Sequence, residues 1–82
     1  MDKFRERLRE LRKNIPLTQQ QLADILGTNN SSICDWECGR TQPDLETLCK
    51  IACYFEVSAD YLLGLEDETG AKLKPYFNNL TF

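Results

Sequence analysis

The sequence predicts an all-α protein, built as a five-helix bundle with a short C-terminal tail. Apolar residues recur every three or four positions in successive segments, as they do on the buried face of a helix. Capping residues precede several of these segments and glycines follow them. With 82 residues, 41% of them hydrophobic and 28% charged, the chain fits one domain with a modest core. We predict a domain over residues 1–64, followed by a linker and tail over residues 65–82.

The first helix is predicted over residues 2–13, where Phe4, Leu8 and Leu11 share one face and Ile15 lies just beyond. Arginine and glutamate occupy the remaining positions. Residues 1–13 hold six basic and three acidic side chains, whereas the rest of the chain holds four and ten. The basic face could contact DNA, but we interpret it as a solvated helix surface.

Residues 17–40 predict two short helices joined by a tight turn. Thr18 can cap the first, which extends to residue 26, because its hydroxyl can accept from a free backbone N–H. Gly27 suits the left-handed conformation that ends many helices. Asn29 can cap the second helix, over residues 30–38, and Gly39 ends it. This is the outline of a helix-turn-helix, although a generic polar helical hairpin has the same composition and periodicity.

The two helices differ in their faces. The first has an apolar face formed by Leu22, Ala23 and Leu26. On the second, bulky anchors and one carboxylate lie on one side: Ile33, Trp36 and Glu37. Small polar side chains lie on the other: Asn30, Ser31, Cys34 and Asp35. Such an arrangement allows the second helix to protrude and to present polar groups of a size suited to base edges.

Two further helices complete the predicted bundle. The fourth covers residues 44–55, after a loop that ends at Pro43, and its predicted core residues are Leu45, Leu48, Ile51, Ala52 and Phe55. The fifth lies within residues 57–64, with Ser58 as its cap and Gly64 at its end. Its predicted packing residues are Tyr61, Leu62 and Leu63.

Three runs carry a resemblance to a known family: LTQQQLADILGTNNSSI, then DWECGRTQP, then LETLCKIACYFEVSADYLLG. In this order and spacing they closely resemble the XRE family, which includes the Cro proteins and phage repressors. The resemblance extends over residues 8–64. It implies a repressor-like bundle that binds double-stranded DNA as a homodimer, usually on an inverted repeat, and represses transcription.

The resemblance also assigns residues to the DNA interface. Gln19 would bond a phosphate and brace Asn30. Base readout would fall on Asn30, Ser31 and Asp35, and Arg40 would be the main phosphate clamp. The expected DNA-binding set is Gln19, Asn29, Asn30, Ser31, Ser32, Cys34, Asp35, Arg40 and Thr41.

Two structural roles follow from the same resemblance. Arg12 is expected to form a partly buried ion pair with Glu37, which would hold the second and third helices against the first. Trp36 is expected to pack in the interior, with its indole N–H within reach of a phosphate.

The charge distribution works against tight DNA binding. The net charge is −3 and the isoelectric point is near 4.8, whereas DNA binding draws on phosphate neutralisation. Asp35 would repel phosphate but can accept from a cytosine amino group, or else face solvent or a protein. A protein-interaction module therefore stays as the alternative function, for example an antitoxin that covers a basic toxin partner.

Four cysteines and no histidine restrict the chemistry of this chain. Cys34 and Cys38, like Cys49 and Cys53, stand four residues apart on a predicted helix. They could together form a four-cysteine zinc site, but the spacing lacks the usual C-x-x-C, so free thiols are expected and no metal or cofactor. No catalytic motif occurs, and we expect no enzyme activity.

The sequence contains no membrane span and no secretory signal, so we expect a cytoplasmic protein.

The tail carries four large apolar side chains after Pro75, namely Tyr76, Phe77, Leu80 and Phe82. It is either disordered or packed on a second subunit, and the chain could also be the DNA-binding half of a longer repressor.

Overall fold

The computed structural model describes residues 2–67 and 71. Five helices follow in order: α1 (Asp2–Asn14), α2 (Gln19–Leu26), α3 (Asn30–Cys38), α4 (Leu45–Phe55) and α5 (Ala59–Leu63). The predicted all-α, five-helix architecture is confirmed. Most of the predicted linker and tail lies outside the described residues.

Side-chain caps determine where α2 to α5 begin. Thr18, Asn29, Asp44 and Ser58 each accept a hydrogen bond from the backbone N–H three residues further on. Gly27, Gly39 and Gly64 end three of these helices in the left-handed conformation. Glu56 ends α4 in the same conformation with a φ of 56°, which is uncommon for a residue with a side chain. The helix boundaries are therefore local properties of the sequence.

The core is assembled from all five helices. α1 packs against α3 and α5, and α2 packs against α3 and α4. The buried apolar residues are Phe4, Leu8, Leu22, Ala23, Leu26, Ile33, Trp36, Leu48, Ile51 and Leu62. Leu11, Ala52 and Phe55 pack around them. Since α3 contributes only Ile33 and Trp36 to this core, the opposite side of that helix is available to solvent or a partner.

Two apolar positions were predicted wrongly. Leu45 was expected in the core but is 81% exposed, and Leu63 was expected to pack but is also exposed. Each stands at the end of a helix, as the first residue of α4 and the last of α5. Helical spacing places a residue on a face, but burial also requires that a neighbouring helix extends that far.

The basic face of α1 was expected to be solvated, but Arg7 is buried. Its side chain is buried, with 6% of the residue exposed. The guanidinium donates to the carbonyl oxygens of Tyr61 and Glu66, and it lies 4.1 Å from the centre of the Tyr61 ring. A buried cation is stable when its donors are used and a ring face covers it. Arg7 therefore ties α1 to the end of α5.

Candidate nucleic-acid interface

The turn between α2 and α3 directs the outer side of α3 away from the bundle. Gly27 adopts a φ of 73°, and Thr28 N–H donates to the carbonyl of Ala23 at 2.9 Å. Beyond the turn, Ile33 and Trp36 are buried, as the sequence predicted. The apolar side of α3 is thus fixed in the core, and its polar side faces outward.

We call this outward side the α3 face and define it by Asn30, Ser31, Cys34 and Asp35. Asn30 and Ser31 are exposed, whereas Cys34 and Asp35 are half-buried. Ser32 is also half-buried, and Thr41, beyond the helix, is exposed. Small polar groups at the start of a helix have the size and the donor and acceptor atoms that base recognition requires.

Asn29 has a different role from the residues of the α3 face. Its side-chain oxygen accepts from Ser32 N–H at 2.8 Å. That oxygen is used in starting the helix, so the amide NH₂ is the part of the side chain left to donate outward. Asn29 therefore sets the orientation of the α3 face.

Arg40 and Asp35 form an ion pair at the edge of the α3 face. Arg40 Nη1 lies 3.5 Å from Asp35 Oδ1, and Arg40 N–H donates to the Asp35 carbonyl at 2.9 Å. The two side chains are 73% and 35% exposed. An exposed ion pair contributes only about 0–1 kcal/mol, so Arg40 can exchange Asp35 for a phosphate at low cost. The family resemblance assigned separate roles to Arg40 and Asp35 and did not indicate that they pair.

The expected ion pair between Arg12 and Glu37 is present beneath the α3 face. Arg12 Nε donates to Glu37 Oε2 at 2.6 Å, and Nη2 donates to Oε1 at 2.9 Å. Nη1 donates to the Leu17 carbonyl at 2.8 Å, just before α2. The hydrogen bond to Glu37 raises the pKa of Arg12. One guanidinium thus fixes α1, α3 and the start of α2 relative to one another.

Gln19 was expected to brace Asn30, but its hydrogen-bond partner is a different residue. Its Nε2 donates to Glu37 Oε1 at 3.3 Å instead. Gln19 is half-buried beside the ion pair, and Glu37 offers a charged acceptor there. The brace between α2 and α3 therefore runs through Glu37.

Arg5 was not assigned to this region by the sequence. Its Nη1 donates to the carbonyl of Cys38 at 3.4 Å, at the end of α3. A Cβ added to Gly39 would lie 3.2 Å from two atoms of the Arg5 side chain. The close approach joins the basic side of α1 to the loop that carries Arg40. No spacing rule could have indicated it, because the contact joins residues 33 positions apart.

The four cysteines are free thiols. Cys34 Sγ and Cys38 Sγ lie 3.9 Å apart on α3, and the hydrogen bond between them raises the pKa of Cys34. All four cysteines are described, and no group of three or more metal-ligating side chains comes together in that part of the chain. The two cysteine pairs, one on α3 and one on α4, are therefore not brought together as four ligands among the described residues.

The arrangement defines a helix-turn-helix protein, and comparison with known sequences agrees. The helix-turn-helix domain family matches residues 6–68, so this chain belongs to that family. Nothing in the described part of the chain is a helix long and apolar enough to cross a membrane.

Two curated relatives and one solved structure illustrate the similarity. The uncharacterized HTH-type transcriptional regulator YobD of Bacillus subtilis is 41% identical over 69 residues, 84% of this chain and 62% of that protein. The HTH-type transcriptional activator BcrR of Enterococcus faecalis is 37% identical over 82 residues, covering 92% of this chain and 40% of BcrR. The chain thus spans about half the length of these relatives.

The solved structure is that of the P22 c2 repressor protein in complex with a synthetic operator. It matches with a TM-score of 0.70 and 32% identity, covering 76% of this chain and 94% of that one. The bundle described above is therefore the fold of a repressor that has been solved on its operator.

Proposed function

We propose that this chain is a sequence-specific DNA-binding regulator of transcription, which acts as a homodimer on an inverted repeat and represses the genes beside it. The observation that carries the proposal is the α3 face. The apolar side of α3 is buried in the core, so the α3 face points outward, and Arg40 lies beside it. A helix held in this way can enter the major groove.

Within this proposal, Asn30 and Ser31 read base edges, because their side chains are exposed at the start of α3. Asn can bond adenine at two atoms, and Ser can act as donor or acceptor. Cys34 and Ser32 border this contact. Asp35 accepts from a cytosine amino group when Arg40 turns to the backbone, which gives specificity at a cost in affinity.

Phosphate contacts fix the register of the protein on the duplex. Arg40 is 73% exposed and serves as the main clamp. Gln19, Asn29 and Thr41 contribute neutral donors around it, since many protein–DNA hydrogen bonds go to the backbone. With a single clamp of this kind and a net charge of −3, we expect weak binding by a monomer. Pairing on two half-sites would supply the remaining affinity.

The test begins with selection of bound duplexes from a random DNA pool. The proposal predicts an inverted repeat, bound with two chains per duplex, with an affinity that falls steeply with salt. Arg40→Ala should weaken binding to all duplexes about equally. Asn30→Ala should change the preferred bases, by roughly 1–3 kcal/mol per lost two-point contact.

Lys50→Ala is a matched control, because it also removes one exposed cation but lies on α4, in an ion pair with Glu46. It should leave DNA affinity unchanged within about twofold, apart from the small effect of net charge. If Arg40→Ala and Asn30→Ala both bind like the parent, the α3 face is not the docking surface. A reporter gene placed under the selected repeat then measures whether the protein represses or activates transcription, since the relative BcrR is named an activator.

A further inference from the structure

The proposed function uses Cys34 only as a neighbour of the base contact, and it does not explain why the Cys34 thiol is paired with that of Cys38. Cys34 and Cys38 lie one turn apart, and their sulfur atoms are 3.9 Å from each other. Cys38 is exposed and Cys34 is half-buried, so a solute can reach both. Cys34 also follows Asn30 by four residues, so the pair continues the line of side chains that begins with the proposed base reader.

This geometry does not suit a disulfide. Residues four apart on a helix are separated by about 6 Å along its axis. The Cβ atoms of a disulfide lie roughly 3.5–4.5 Å apart. Oxidation of this pair to an internal bridge would therefore require α3 to unwind locally.

A metal ion can span the same gap without distortion. Zinc–sulfur bonds of about 2.3 Å at tetrahedral angles place two thiolates roughly 3.8 Å apart. The observed separation of 3.9 Å is within about 0.2 Å of that value. The helix thus holds two sulfurs at the positions of two corners of a tetrahedral site.

We propose that Cys34 and Cys38 bind one thiophilic divalent cation of the zinc type, and that its binding weakens the docking of α3 on DNA. Each thiol gives up its proton, and the cation replaces the two protons, so the pair stays neutral overall. Two corners remain for water, which makes the site exchangeable, unlike the four-ligand sites that hold small domains folded. The core is complete without a metal.

The expected loss of DNA affinity follows from the position of the cation on α3. A hydrated cation enlarges the surface of α3 one turn beyond Asn30, where the helix would approach the groove. This part of the proposal rests on the proposed function, whereas the metal site itself does not.

The chain contains its own control. Cys49 and Cys53 have the same spacing on α4 and are both exposed. No sulfur–sulfur contact like that of Cys34 and Cys38 joins them in the part of the chain that the structure describes. The variants Cys34→Ser/Cys38→Ser and Cys49→Ser/Cys53→Ser therefore remove equal numbers of thiols from two different helices.

The experiment titrates the full chain with Cd²⁺ in a thiol-free reducing buffer and follows the ultraviolet charge-transfer absorption of cadmium–thiolate bonds. We expect one Cd²⁺ per chain in the parent and in Cys49→Ser/Cys53→Ser. The band should be absent in Cys34→Ser/Cys38→Ser, and circular dichroism should confirm that all three proteins are folded. A band that persists in Cys34→Ser/Cys38→Ser, or none in the parent, overturns the site.

The second arm measures affinity for the selected duplex with and without Cd²⁺. We expect Cd²⁺ to raise Kd about tenfold in the parent and in Cys49→Ser/Cys53→Ser, with no change in Cys34→Ser/Cys38→Ser. An equal Kd with and without Cd²⁺ in the parent overturns the regulatory step. A metal-free parent that binds no DNA contradicts the proposed function instead, and the absorption titration still decides the site.

Discussion

Replacement of Arg12 by methionine is the sharpest test of how α3 is held. Methionine keeps much of the aliphatic length of arginine but removes the guanidinium. Glu37, whose side chain is 4% exposed, would then keep only the 3.3 Å hydrogen bond from Gln19. The Leu17 carbonyl would also lose its donor at 2.8 Å. Arg12→Met therefore leaves a nearly buried carboxylate without its counter-charge.

The expected cost follows from this burial. Removal of one partner from a buried ion pair costs about 3–5 kcal/mol. Because 11% of the Arg12 side chain is exposed, we take the lower end, about 3 kcal/mol. The total stability of a domain of 82 residues is about 4–12 kcal/mol, so the variant should fold but unfold easily.

Urea unfolding followed by far-ultraviolet circular dichroism measures the loss. With a slope of about 1 kcal/mol per molar urea for a small domain, the midpoint should fall by roughly 3 M. Arg12→Met/Glu37→Leu removes both charges and should recover at least about 2 kcal/mol of the loss. Lys50→Ala, which breaks the exposed pair with Glu46, should change stability by less than about 0.5 kcal/mol.

The reasoning is refuted if Arg12→Met loses no more stability than Lys50→Ala. It is also refuted if the double variant is less stable than Arg12→Met, because the penalty would then not come from a stranded carboxylate. In either case Glu37 would not be the group that fixes α3 against α1.

Three further predictions concern other contacts. Arg7→Met should cost about 1–3 kcal/mol in urea unfolding, because the carbonyls of Tyr61 and Glu66 lose a buried donor, and an unchanged midpoint would contradict this. Asp35→Asn should free Arg40 and tighten binding by up to about 1 kcal/mol to duplexes without a cytosine at the position that Asp35 faces, and it should weaken the preference for that cytosine, as measured by fluorescence anisotropy. The hydrogen bond from the backbone N–H of residue 47 lowers the pKa of Asp44 from its ordinary value of 3.8, so the folded state binds fewer protons than the unfolded chain. The stability from Asp44 is therefore present above pH 3.8 and lost as the pH falls through the folded-state pKa, and Asp44→Asn should flatten that loss in acid unfolding.

The proposed regulator would combine two levels of control in one helix. The α3 face supplies specificity, and its own thiol pair would lower affinity when a thiophilic cation is abundant. Both depend on the same anchoring by Ile33, Trp36 and Glu37. A variant that loosens this anchoring should therefore reduce DNA binding and cadmium binding together.

The helices themselves could be read from the sequence. Thr18, Asn29, Asp44 and Ser58 were each assigned as, or next to, the first residue of a helix, and each acts as a cap. Such signals work because a cap and its N–H donor are only three residues apart, so no tertiary contact is needed. The resemblance to a known family further indicated the ion pair of Arg12 and Glu37.

Apart from that ion pair, the contacts between helices could not be predicted from the sequence. The burial of Arg7 depends on carbonyls more than 50 residues away, and the exposure of Leu45 depends on where the neighbouring helices end. Periodicity indicates which face of a helix is apolar, but it carries no information on the length or distance of the helix opposite. The sequence alone thus determined the helices, their caps and the polar side of α3. Only the tertiary structure decided which cation of α1 is buried and which apolar side chains stay exposed at helix ends, because both depend on how the helices pack against one another.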